Sequence, residues 1–217
     1  MSEIPQLSGP SLEPDKGVRP EKLIILCHGY GSNGDDLFGL VPLLKQALPN
    51  AVYVSPNAPE RCYGVPMGFQ WFSLSTLSVE ERMTGTLKAA PILDHFIDQE
   101  LEKYGLKNKD LILIGFSQGT MMALHVGLRR NSDIGGIIGF SGAMTFPKNW
   151  QAELTSRPPV ILIHGDMDNV VPVNHMYEAR DALIAEGLKV ESHVSRGITH
   201  SIGQDGLQKA LDFLAKI

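Results

Sequence analysis

Residues 111–122, Leu-Ile-Leu-Ile-Gly-Phe-Ser-Gln-Gly-Thr-Met-Met, constrain the fold more than any other stretch of the chain. An apolar run at 111–114 leads straight into Gly115-Phe116-Ser117-Gln118-Gly119, and a helical pattern follows at once. That is the strand, tight turn and helix of a nucleophile elbow, in which a sharp turn lifts a serine hydroxyl clear of a sheet. The turn forces the serine into a strained backbone conformation, at ~1–3 kcal/mol that the surrounding fold has to hold. Glycines flank it because a side chain at 115 or 119 would jam the strand against the crossing helix. The serine oxygen then stands at the positive end of a helix.

The pattern alone is weak. With 22 glycines in 217 residues it recurs by chance in shuffled chains, so its context has to carry it. A near miss, Gly139-Phe140-Ser141-Gly142-Ala143, follows another apolar run at 134–138. There Ala143 replaces the second glycine, and Pro147 comes where a helix should be under way. Ser141 therefore reads as structural.

Leu23-Ile24-Ile25-Leu26-Cys27 is a continuous apolar run, the signature of a strand buried on both faces. Further strands are expected at 51–54, 111–114, 136–140, 160–164 and 190–194. Helices are expected around 37–48, over 84–104, from the elbow to about 130, over 173–186 and from about 203 to 215. Pro91 should kink the second of these or mark its real start. Strand and helix alternate throughout, which calls for an α/β fold: a doubly wound, mostly parallel sheet with helices on both faces. One domain is expected over 20–217, with no separate lid domain. Residues 1–19, polar and rich in proline, read as a flexible leader. The long stretch at 57–83 is expected to be irregular, and its aromatics argue for order and a functional part.

The formal net charge of −5 and the lack of a basic run exclude a general nucleic-acid binder. No apolar stretch approaches the ~18 residues of a membrane span, and the N-terminus has no apolar core of a secretory signal. Cys27 and Cys62 do not make a disulfide framework. A cytoplasmic location without integral membrane contact is the default expectation.

A serine nucleophile needs a base, an acid that orients the base, and donors for the oxyanion. In open α/β sheets all of them lie at the carboxyl ends of strands. Of the seven histidines, His95 sits in a helix pattern, His175 near a helix start and His193 inside a strand. His125 lies too far along the elbow helix to face back. His28 and His164 end strands, but glycine follows each in a turn where packing roles are common. His200 lies in the loop after the last strand and before the last helix, where a base is needed. The acid should follow the strand at 160–164, where the chain reads His164-Gly165-Asp166-Met167-Asp168-Asn169-Val170-Val171-Pro172. One aspartate would brace the turn and the other reach the histidine, and spacing alone does not choose between them. The oxyanion donors should be the backbone N–H of Gln118 and that of Tyr30, in the loop His28-Gly29-Tyr30-Gly31. No metal-ligand spacing is evident, and no cofactor or metal is called for.

These segments, together with Gly31-Ser32-Asn33-Gly34-Asp35-Asp36, resemble the phospholipase/carboxylesterase family of α/β-hydrolases, to which the acyl-protein thioesterases belong. The similarity holds in order and spacing from about residue 20 onward and is closest to bacterial members. It implies Ser117 as nucleophile, Asp168 rather than Asp166 as acid, His200 as base, and Tyr30 and Gln118 at the oxyanion positions. Eukaryotic thioesterases usually carry leucine where this chain has Tyr30. The expected reaction is hydrolysis of small to medium acyl esters or thioesters through an acyl-enzyme, on a small-molecule or lipid substrate. A lysophospholipase or acyl-protein thioesterase is the alternative within the class. An inactive α/β-hydrolase used as a binding module is the alternative outside it. Phe69, Trp71, Phe72, Leu74 and Leu77 are candidates for an acyl groove, against plain core packing. An exposed apolar rim would serve a homodimer as readily as lipid contact.

Overall fold

The structure is a computed structural model that describes residues 4–75 and 78–217. Its strands are β1 (Ser11–Leu12), β2 (Lys22–Cys27), β3 (Ala51–Val54), β4 (Glu60–Arg61), β5 (Phe69–Gln70), β6 (Leu111–Phe116), β7 (Gly136–Phe140), β8 (Val160–Gly165) and β9 (Val190–Ser195). Its helices are α1 (Gly34–Phe38), α2 (Val41–Ala47), α3 (Val79–Tyr104), α4 (Gln118–Gly127), α5 (Asn174–Ala185) and α6 (Gln204–Leu214). The main sheet runs in the order β1-β3-β2-β6-β7-β8-β9. All its pairings are parallel except that of β1 with β3. This is the α/β-hydrolase arrangement that the sequence leads one to expect.

The unbroken apolar runs follow from burial on both faces. Along β2, Leu23, Ile25 and Cys27 join one core, whereas Ile24 and Leu26 join the other. The first core takes Leu93 and Ile97 of α3, Met122 of α4 and Leu183 of α5. The second takes Leu37 of α1, Leu44 of α2 and Phe213 of α6. Each such aliphatic side chain contributes about 1.5–3 kcal/mol when fully buried, so the helices need little intrinsic propensity. Helix α4 is the extreme case, with all of its residues from Gln118 to Gly127 buried.

Several boundaries differ from expectation for local reasons. The single helix expected around 37–48 is two short ones. Asn33 caps α1 by accepting from the Asp36 N–H at 3.1 Å, and Pro42 sits in the first turn of α2, where its missing N–H costs nothing. Helix α3 starts at Val79, ahead of the expected 84, because the Ser78 hydroxyl accepts from the Glu81 N–H. Pro91 lies inside that helix and deprives the Leu87 carbonyl of its partner, on a turn whose Leu87 side chain is exposed. The stretch at 57–83 contains the β4–β5 hairpin. Where a flexible leader is expected over 1–19, Leu7 is buried and β1 pairs with β3. The Ser55 N–H donates to the Pro10 carbonyl, and that of Asn57 to Ser8. Among the described residues, no helix is long and apolar enough to cross a membrane.

The sheet positions the site by bringing α4 onto β2 at backbone contact. A Cβ on Gly119 would lie 1.8 Å from the Cys27 carbonyl oxygen, and one on Gly115 2.4 Å from the Thr120 nitrogen. Gly119→Ala is therefore expected to cost about 3 kcal/mol or more in urea denaturation. Gly187→Ala, at φ +81° with open space around it, should cost only ~1–2 kcal/mol. Similar losses for the two would show that the contact at the elbow is not tight.

Candidate active site

Ser117 ends the crossing from β6 to α4 with φ 52° and ψ −113°. A non-glycine residue held there stores roughly 1–3 kcal/mol of strain. The neighbouring strand holds it: the Ser117 N–H donates to the Phe140 carbonyl at 2.8 Å, and the Thr120 hydroxyl donates to the same oxygen at 2.8 Å. The near-miss serine, Ser141, also takes a positive φ, 48°, at the end of β7. It is only 1% exposed, and its hydroxyl has no partner among the described residues.

His200 and Asp168 come from loops that are fastened to each other. The Asp166 N–H donates to the Ser195 carbonyl, that of Met167 to Ile198, and that of Gly197 to the Asp166 carboxylate at 2.6 Å. Asp166, exposed, is the brace between the two loops. Asp168 turns inward with its side chain fully buried. One of its oxygens accepts from the Val170 and Val171 N–H groups at 2.9 and 2.8 Å, and the other accepts from His200 Nδ1 at 2.7 Å. Burial pushes the Asp168 carboxyl up, but the His200 bond and the two backbone bonds outweigh it and hold the group below the usual carboxylate range. With Nδ1–H donated to Asp168, His200 Nε2 is left to accept from the Ser117 hydroxyl, 2.9 Å away. The imidazole also packs on the Phe116 ring, 5.0 Å between centroids.

The two other strand-end histidines do structural work. His28 donates Nδ1–H to the Gly29 carbonyl at 2.7 Å and accepts from the Ala58 N–H at 2.9 Å, while burial holds its pKa down. His164 Nε2 donates to the Val171 carbonyl at 2.7 Å and lies 3.3 Å from the Asp168 carboxylate. Burial lowers its pKa too.

A cleft of about 500 Å³ opens over Ser117 and His200. Tyr30 and Gln118 border it, and among the described residues neither backbone N–H has an acceptor. Of the expected groove residues, Leu74 lines it. Trp71 and Phe72 do not: they are 1% and 2% exposed, core residues held in by Gln118. The Gln118 side-chain carbonyl accepts the Trp71 N–H at 2.9 Å and its amide donates to the Phe72 carbonyl at 2.8 Å. The Trp71 indole N–H donates to the His28 carbonyl at 3.0 Å. Phe69 points its ring at Arg61, 4.1 Å away, and meets the Tyr30 loop through an edge contact with the His28 ring and backbone bonds to Gly31 and Ser32. Leu77 lies outside the described residues. Met121, Val170, Val171, Arg82 and His175 complete the lining. The sequence pattern does not single these out, because they come from three separate segments; the position of Met121, one helical turn past Ser117, is the one signal that could have found any of them. Among the described residues no cluster of His, Cys, Asp or Glu is placed to hold a metal.

A family model described as phospholipase/carboxylesterase matches residues 14–217. Acyl-protein thioesterase 1 of Saccharomyces cerevisiae is 29% identical over 211 residues, covering 89% of this chain and 91% of its own. Esterase YpfH of Escherichia coli is 28% identical over 201 residues, covering 93% and 84%. Among solved structures, esterase PE8 superimposes with a TM-score of 0.94 at 43% identity, covering 98% of this chain and 99% of its own.

The geometry separates the two aspartates. Asp168→Asn is expected to lower kcat by roughly 10³–10⁴-fold and Asp166→Asn by less than tenfold in steady-state assays; equal losses would reverse the assignment. Because Asp168 titrates lower in the folded chain than in the unfolded one, its stabilisation is complete above about pH 4 and is lost as pH falls through the depressed value. The stability gap between wild type and Asp168→Asn in urea should close on that acid side.

Proposed function

The chain belongs to the phospholipase/carboxylesterase family and is a hydrolase of esters, and we propose that it cleaves esters and thioesters of small to medium acyl chains through an acyl-enzyme on Ser117. The observation that carries this reading is the unbroken line of hydrogen bonds from Asp168 through His200 to Ser117, at 2.7 and 2.9 Å, opening into the cleft.

In this reading His200 Nε2 takes the Ser117 proton as Oγ attacks the acyl carbonyl. Asp168, ionised and buried, keeps the imidazole in the tautomer that can accept that proton and stabilises the imidazolium that results. The negative charge that develops on the carbonyl oxygen is met by the N–H groups of Tyr30 and Gln118. The latter sits at the N-terminus of α4, whose dipole adds to the effect. One such donor is worth about 2.7–4 kcal/mol in the transition state. His200 returns its proton to the departing alcohol or thiol, and water then repeats the sequence on the acyl-enzyme. Leu74, Met121 and Val170 give the acyl chain an apolar wall. The cleft volume lies in the range of small-molecule sites, which supports short to medium chains. The resemblance to yeast acyl-protein thioesterase 1 supports thioesters as well as oxygen esters.

The test is kcat/KM on nitrophenyl esters from acetyl to palmitoyl, with Ser117→Ala as the blank. Activity should fall by roughly 10⁴–10⁶-fold in the variant, and the optimum should lie at short to medium chains. A long-chain optimum would favour a lipid or acyl-protein substrate. Equal inertness of both proteins, with no labelling of Ser117 by a fluorophosphonate, would leave a binding module.

A further inference from the structure

One charged group in the cleft has no part in the relay. Arg82 stands one turn into α3 and lines the cavity that holds Ser117 and His200. Among the described residues its guanidinium has no acceptor. This sets it apart from Arg129, Arg130 and Arg180, each of which pairs with a carboxylate at 2.6–2.8 Å. No aspartate or glutamate is among the described residues that line the cleft. Its two histidines are engaged, His200 in the relay and His175 with Glu178 at 3.3 Å. Arg82 is therefore the one permanent charge on the cleft wall among the described residues.

That placement runs against the balance of the molecule, which carries a formal net charge of −5. A half-buried cation without a carboxylate partner is free to pair with an anionic ligand. A guanidinium offers a fixed fork of donors that fits a carboxylate or phosphate edge-on. Low-dielectric walls of Leu74, Met121 and Val170 strengthen its field along the cleft and draw anions in. Because Arg82 and Ser117 share one cavity of about 500 Å³, the anion and the scissile ester have to lie on the same small molecule.

Resting on the reading of Ser117 as nucleophile, the geometry points to small anionic esters as the preferred substrates, with Arg82 binding a carboxylate or phosphate elsewhere on the same molecule. Arg82 sets specificity by charge pairing and takes no part in proton transfer. Glu81, its neighbour on α3, accepts from the Ser75 N–H at 2.6 Å through its carboxylate.

The experiment compares matched pairs by pH-stat near neutral pH with the full chain. Monoethyl adipate against ethyl hexanoate places the anion on the acyl side. 2-Acetoxyethyl phosphate against ethyl acetate places it on the alcohol side. In the wild type, kcat/KM for the anionic member of at least one pair should exceed that of its neutral partner by about tenfold or more, mainly through KM. Arg82→Gln should bring that ratio close to one, Arg82→Lys should retain part of it, and high salt should compress it in the wild type. A wild-type ratio of one or less for both pairs overturns the proposal, as does a ratio that Arg82→Gln leaves intact. Nitrophenyl acetate hydrolysis that survives Ser117→Ala would sink the serine mechanism instead, so the two failures are told apart. Circular dichroism and the lysine variant guard against a glutamine variant that does not fold.

Discussion

The site depends first on how closely helix α4 lies against strand β2. At Gly119 the two backbones meet with no room for a methyl group, and Gly115 relieves the same crowding from the β6 side. This approach aims the N-terminus of a fully buried helix at the carboxyl edge of the sheet and puts Ser117 at a strained turn there. The strain persists because the Phe140 carbonyl holds both the Ser117 N–H and the Thr120 hydroxyl. A looser helix would let the turn relax and swing the hydroxyl away from His200.

The second level of organisation is the fastening of loops to this fixed point. Asp166 ties the acid loop to the histidine loop, and Asp168 is then free to face inward. Gln118 does the same for the opposite wall. It borders the cleft, while its side chain pins Trp71 and Phe72 and so fixes the start of the segment that supplies Leu74. One residue thus connects the floor of the cavity to its wall. The backbone of Phe69 completes the frame by holding Gly31 and Ser32, next to Tyr30.

The parts of this arrangement written in contiguous residues are legible in the sequence. The elbow, the doubly buried strands and the loop position of His200 each have a local pattern, and the structure places them together. The choice between Asp166 and Asp168 is not local. It turns on which carboxylate faces a loop 32 residues further on, which no local spacing shows. Trp71 and Phe72 mislead for a related reason: an aromatic pair in an irregular stretch looks like a groove wall, and the amide that draws it into the core belongs to residue 118. Arg82 and the stretch from Val170 to His175 reach the cleft from segments far apart in the chain, so no spacing marks them. The pairing of β1 escapes notice because two residues are too few to show an alternation, and Leu7 is a single apolar residue among polar neighbours.

That short N-terminal strand has a consequence for the fate of the chain rather than for its chemistry. Without it, Ala-Val-Tyr-Val of β3 would be the outermost strand, an apolar and β-prone row whose free backbone groups could template pairing with another chain. Ser11 and Leu12 occupy that row with a segment too short to propagate the sheet further. The opposite margin needs no such cover, since β9 reads Val-Glu-Ser-His-Val-Ser and shows Glu191 and Ser192 to solvent. Two residues absent from the described lining of the cleft thus cover the edge on which the sheet is most open to edge-to-edge aggregation.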